Sequence, residues 1–102
     1  MSKNKSSFQN IINSETPILI DFYADWCGPC KMFAHTIDNL KNEIGDQARI
    51  IKINVDKNQA LSQQLQVRSI PTVMIYQNGE MKWRAQGAQS IQTMKQQLAQ
   101  LV

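Results

Sequence analysis

Apolar and polar positions along this chain fall into blocks whose period changes from one block to the next. Phe8, Ile11 and Ile12 mark the apolar face of a short opening helix, capped by Ser6 or Ser7 and closed off by Pro17. Ile18 to Tyr23 is a nearly unbroken apolar run, the pattern of a strand covered on both faces. From Cys30 the spacing becomes helical through Phe33, Ile37, Leu40 and Ile44, and Gly45 supplies a stop. Arg49 to Val55 reads as a second strand, and Asn58 to Gln66 as a helix with Leu61 and Leu65 inward. Thr72 to Gln77 and Glu80 to Ala85 read as strands joined by Asn78-Gly79, a pair suited to the positive φ of a tight hairpin. Ser90 to Val102 closes the chain as an amphipathic helix, with Ile91, Met94, Leu98 and Leu101 on its core side and glutamines on the other.

The predicted order is therefore αβαβαββα. A crossover through a helix makes the first two strands parallel, and the hairpin adds an antiparallel pair. The expectation is an α/β fold, a mixed four-stranded sheet with four helices spread over both faces. Met32, Met74, Met81 and Met94 are expected to fill gaps in the core, and Trp83 to pack across strands.

Composition narrows the possibilities. At 102 residues the chain fits a single domain spanning 1–102, and a hydrophobic fraction of 42% is enough for a real core. The net charge of +3 comes from scattered lysines and arginines that form no basic stripe, which argues against nucleic acid. No apolar run approaches the roughly 20 residues needed to cross a bilayer. The first sixteen residues are polar and hold no apolar leader segment, so the expected location is cytoplasmic.

The candidate chemistry lies in the only two cysteines, Cys27 and Cys30, set between the first long strand and the helix after it. A thiol at a helix start feels the positive end of the helix dipole and the unpaired N–H groups there. Both favour the thiolate, the form that attacks a disulfide. A second thiol one turn on can release whatever the first captures. The alternatives are an inert disulfide or half of a zinc site, the latter short of ligands because His35 is the only histidine. Gly28-Pro29 adds no imidazole or positive charge between the thiols, which favours a reductant over an oxidant. Asp21 interrupts an apolar strand, so it either reaches solvent at a sheet edge or is buried at a cost of several kcal/mol. His35 lies too far along its helix to serve Cys27 as a base.

The stretch from Asp21-Phe22-Tyr23-Ala24-Asp25 through Trp26-Cys27-Gly28-Pro29-Cys30-Lys31-Met32 resembles the active-site segment of the thioredoxin family. Ile70-Pro71-Thr72 resembles that family's cis-proline loop, Asn78-Gly79-Glu80 its final hairpin, and Gly87-Ala88 its groove-lining glycine region. The resemblance runs from about Phe8 to the C-terminus. It implies a thioredoxin fold and a thiol–disulfide oxidoreductase that reduces protein disulfides. Cys27, at the exposed helix entry, would be the nucleophile, and Cys30, shielded by the first turn, the resolving thiol. Asp21 matches the family's buried aspartate, which takes a proton from Cys30, and Lys52 matches its partner lysine. Trp26, Gly28, Pro29, Val55, Ile70, Pro71, Gly87 and Ala88 resemble the flat apolar surface that docks an extended client.

The resemblance further implies that no cofactor or metal binds. Electrons would come from NADPH through a separate flavin-dependent thioredoxin reductase, the clients would be disulfide-containing proteins, and the chain would act as a monomer. Three positions depart from the family pattern. Met1 to Ser6 lacks the alternation for the family's extra edge strand, leaving a fifth strand only as a possibility. His35 stands where relatives have a helix proline, and Ser69 where some have glycine. Two rival functions remain: an assembly subunit that uses the same surface without turnover, and a disulfide isomerase or oxidase.

Overall fold

The apolar run at Ile18 to Tyr23 becomes the central strand, and the rest of the chain is arranged around it. The computed structural model describes residues 3–101, with side chains from Ser7 onward. Strand β1 (Ile18–Tyr23) lies between β2 (Arg49–Asn54), which is parallel to it, and β3 (Thr72–Gln77), which is antiparallel. Strand β4 (Glu80–Gln86) pairs antiparallel with β3, giving the order β2-β1-β3-β4. The helices are α1 (Lys3–Ile12), α2 (Gly28–Ile44), α3 (Gln59–Gln64) and α4 (Ile91–Ala99), with a 3-10 turn at Gly45–Gln47.

Alternate residues of the buried strands face opposite layers, as their period of two requires. On one face Phe8 and Ile12 of α1 and Leu61 of α3 pack against Ile18, Ile20, Phe22, Ile53, Met74 and Tyr76. On the other, Phe33, Ile37, Leu40 and Ile44 of α2 join Met94 and Leu98 of α4 over Leu19, Val73 and Ile75. Each side chain so enclosed contributes roughly 1.5–3 kcal/mol of transfer free energy. Trp83 pairs with Ile75 and packs on this second layer. The hairpin tip has φ of +53° at Asn78 and +80° at Gly79, the conformation for which that dipeptide is suited.

Several expectations need correction. Helix α1 starts at Lys3, so Ser6 and Ser7 lie inside it instead of capping it. The buried Phe8 and Ile12 anchor the helix, and nothing in Lys3 to Lys5 stops it from extending backward. The same helical segment leaves the possible fifth strand unformed among the described residues; Met1 and Ser2 lie outside them. Helix α3 ends at Gln64, short of Gln66, which turns to φ +57° while Arg84 donates to the carbonyls of Leu65 (2.6 Å) and Gln66 (2.7 Å). Leu65 is half-buried and still packs inward, against the Phe8 and Leu61 layer. Met74 and Met94 fill the core, but Met32 is 76% exposed and Met81 44%. Met32 falls off the buried stripe of α2, and Met81 sits on an edge strand beside a register shift between Ile75 and Tyr76.

Candidate active site

The end of β1 delivers the chain through Ala24 to Trp26 directly into α2. Cys27 is the N-cap of that helix, with extended backbone (φ −87°, ψ 110°), and its Sγ accepts the N–H of Cys30 at 3.2 Å. A sulfur thus takes the place usually held by a capping oxygen, answering one of the orphan donors of the first turn. Pro29 lies in that turn, where its missing N–H costs nothing. Cys27 and Cys30 are joined as a disulfide, their Cα atoms 5.2 Å apart.

The expected difference in exposure between the two thiols is not found in this oxidised form: each cysteine is only 4% exposed. Ala24 is buried with them, and Tyr23, Val55 and Ile70 pack around the pair. What separates the sulfurs is direction. Cys27 Sγ lies 3.9 Å from the carbonyl oxygen of Ile70, whose bond to Pro71 is cis. Cys30 instead lines a small cavity together with Tyr23, Ala24, Asp25, Lys31, Ala34 and Lys52.

Asp21 is fully enclosed, which excludes the sheet-edge alternative, because β1 has neighbours on both sides. Neither carboxyl oxygen has a hydrogen-bond partner among the described residues. Burial raises the Asp21 carboxyl and the positive charge of Lys52 offsets part of that rise, leaving it at about 6 against an ordinary 3.8. Lys52 is directly across from Asp21 in the β1–β2 register, yet its Nζ sits over the Tyr23 ring, 5.1 Å from the centroid.

The expected docking residues divide into two groups. Trp26 is 70% exposed, and its indole N–H donates to Asp56 Oδ2 at 2.8 Å. Gly28 and Pro29 are exposed beside it, while Val55 and Ile70 are half-buried against the disulfide. Pro71 is buried, and its carbonyl accepts the N–H of Gly87 at 2.7 Å, fixing Gly87 at φ +84°. Ala88 is exposed next to it. Among the described residues no three His, Cys, Asp or Glu side chains gather as metal ligands, and no helix is long and apolar enough to cross a membrane.

The thioredoxin family model matches residues 1–100. The chain belongs to the thioredoxin family. It is 49% identical over 78 residues to a thioredoxin of Haemophilus influenzae, covering 76% of this chain and 73% of that protein. To a thioredoxin of Rickettsia prowazekii it is 44% identical over 78 residues, covering 76% and 74%. Among solved structures, a mutant thioredoxin of Halobacterium salinarum superposes with a TM-score of 0.83 at 32% identity, over 94% of this chain and 83% of that one. Oxidised mitochondrial thioredoxin 3 of Saccharomyces cerevisiae gives 0.83 at 28% identity, over 94% and 89%. As a thioredoxin-family member with a redox-active Cys27–Cys30 disulfide, the chain is a thiol–disulfide oxidoreductase of the protein-disulfide reductase kind. The family works with a thioredoxin reductase and with disulfide-bearing clients.

Two residues at this site are not singled out by the sequence. Asp56 follows β2 in a polar turn held by Asn54 Oδ1, which accepts the N–H groups of Asp56 (2.9 Å) and Lys57 (3.2 Å). Asn54 followed by Asp56-Lys57-Asn58 is a turn signature, but the partnership with Trp26 spans 30 positions. Tyr23 reads only as the end of an apolar strand, although it borders the Cys30 cavity.

Proposed function

We propose that Cys27 is the attacking thiol and Cys30 the resolving one. The observation that carries this assignment is the Cys30 N–H pointing at Cys27 Sγ at the start of α2. A sulfur in that position gains most as the thiolate. Reduced Cys27 attacks a client disulfide, forming one mixed S–S bond and expelling the client's other sulfur as thiolate. Cys30 then attacks Cys27 Sγ, forming the bond seen here and releasing the second client sulfur, so two electrons pass to the client. Asp21 accepts the Cys30 proton, directly or through a water in the adjoining cavity, because a desolvated carboxylate is a stronger base than an exposed one. Lys52 supplies positive charge at the same cavity.

Trp26, Gly28, Pro29, Val55, Ile70, Pro71, Gly87 and Ala88 form the docking surface in this reading. Ile70 offers backbone beside Cys27 for short strand-like pairing with a client. The chain needs no bound cofactor; a flavin-dependent reductase using NADPH would return the electrons, in the cytoplasm, to a monomer. Insulin reduction by the native chain, Cys27→Ser and Cys30→Ser tests the assignment. Both variants should fall to background turnover, and Cys30→Ser alone should accumulate mixed disulfide with the client. Equal turnover in all three overturns it, and mixed disulfide on Cys27→Ser instead reverses the two roles.

A further inference from the structure

Asp21, Tyr23 and Lys52 share one face of the sheet, and Lys52 has two possible partners there. The register sets it across from Asp21, with Tyr23 two residues further along β1 on the same side. Opposite charges on adjacent strands ordinarily pair. Here the Asp21 oxygens are without partners among the described residues, while the ammonium lies over the Tyr23 ring at 5.1 Å. We infer that Tyr23 is a positioning residue whose ring holds the Lys52 ammonium over the Cys30 cavity and off the Asp21 carboxyl.

Solvation gives the physical reason. Lys52 is an exposed residue, and over the ring its head group stays at the cavity and in contact with water. Reaching Asp21 would carry an ammonium into a fully enclosed position and strip its hydration. The ring face offers electrostatic attraction without that cost. The functional weight of this arrangement rests on Asp21 acting as proton acceptor: a carboxylate paired directly with an ammonium is a weaker base than one left unpaired. The titratable groups around this cavity are Lys52 and Tyr23 from the sheet, Asp25 in the turn and Lys31 of α2, Cys30 being held in the disulfide. Across β1 the partner of Asp21 is Val73, which does not titrate.

The test is a double-mutant cycle read on the oxidised protein, following the Asp21 carboxyl carbon by NMR as pH is varied. Tyr23→Leu should lower the Asp21 midpoint by about half a pH unit as the ammonium swings across. Tyr23→Phe, which keeps the ring face, should match the native chain. In a Lys52→Met background, Tyr23→Leu should have no such effect. An equal fall in both backgrounds would mean that the ring acts only by excluding water, and would overturn the inference. So would an unchanged or raised midpoint, or a Tyr23→Phe that behaves like Tyr23→Leu. Should Tyr23→Leu not fold, the native chain decides: the Lys52 ε-methylene protons must be shifted upfield by the ring, and ordinary shifts there reject the contact. No turnover enters these measurements, so their failure is distinct from failure of the reductase assignment.

Discussion

Leu19 and Asp21 stand two residues apart on the same face of β1, and both are 0% exposed. Their surroundings have little in common. Leu19 lies in an apolar cluster of α2, α4 and β3 side chains. Asp21 lies at the end where the strand runs out toward the disulfide, with no partner for either carboxyl oxygen among the described residues. One end of the strand stabilises the fold and the other strains it electrostatically. The same layer of the protein therefore serves stability and chemistry, and the change from one to the other takes a single turn of the pleat.

The contrast breaks most sharply from the apolar end. Leu40→Ala removes a 0%-exposed side chain from the Leu19 cluster, and urea denaturation should show a loss of about 2–5 kcal/mol, whatever the pH. A loss near zero would mean that the cluster repacks freely.

At the other end the sign reverses and pH enters. The folded-state pKa of Asp21 is raised, so its favourable contribution is complete below 3.8 and is lost as pH rises through about 6. Above that the ionised carboxylate costs the oxidised fold about 3 kcal/mol. Asp21→Asn should therefore stabilise the oxidised protein by up to about 3 kcal/mol at pH 8 and by almost nothing at pH 3.5. A difference that stays constant over this range would show that Asp21 titrates normally.

The smallest effect belongs to the rim. Trp26→Phe removes an exposed hydrogen bond to Asp56 and should cost no more than about 1 kcal/mol of stability, with a few-fold rise in KM for a disulfide client. An unchanged KM would remove Trp26 from the docking surface.

The elements legible in the sequence were those whose own residues determine them. The apolar run of β1, the helical stripe from Phe33 to Ile44 and the Asn78-Gly79 turn each carry their signal locally, and the structure has all three. The run alone leaves the burial of Asp21 open, and the central place of β1 in the sheet decides it. What was not legible depends on distant partners. Helix α3 ends where Arg84 reaches it from 18 positions further along the chain, and no pattern near Gln66 announces that. Tyr23 acquires its role only once the register sets Lys52 across from Asp21. The shared burial of Cys27 and Cys30 is hidden for a related reason: the helix start predicts an open thiol, but Ile70 arrives from 43 positions later to cover it.

The segment from Gln66 to Pro71 is braced from several sides. Arg84 grips its beginning, the Thr72 hydroxyl holds the Ser69 carbonyl at 2.6 Å, and Gly87 fastens the Pro71 carbonyl. Such a wall has its shape before any visitor arrives, and little ordering remains to be done when one does. In the docking mode proposed above, a braced shelf of this kind would ask its visitor for an extended segment with a sulfur bridge and little else.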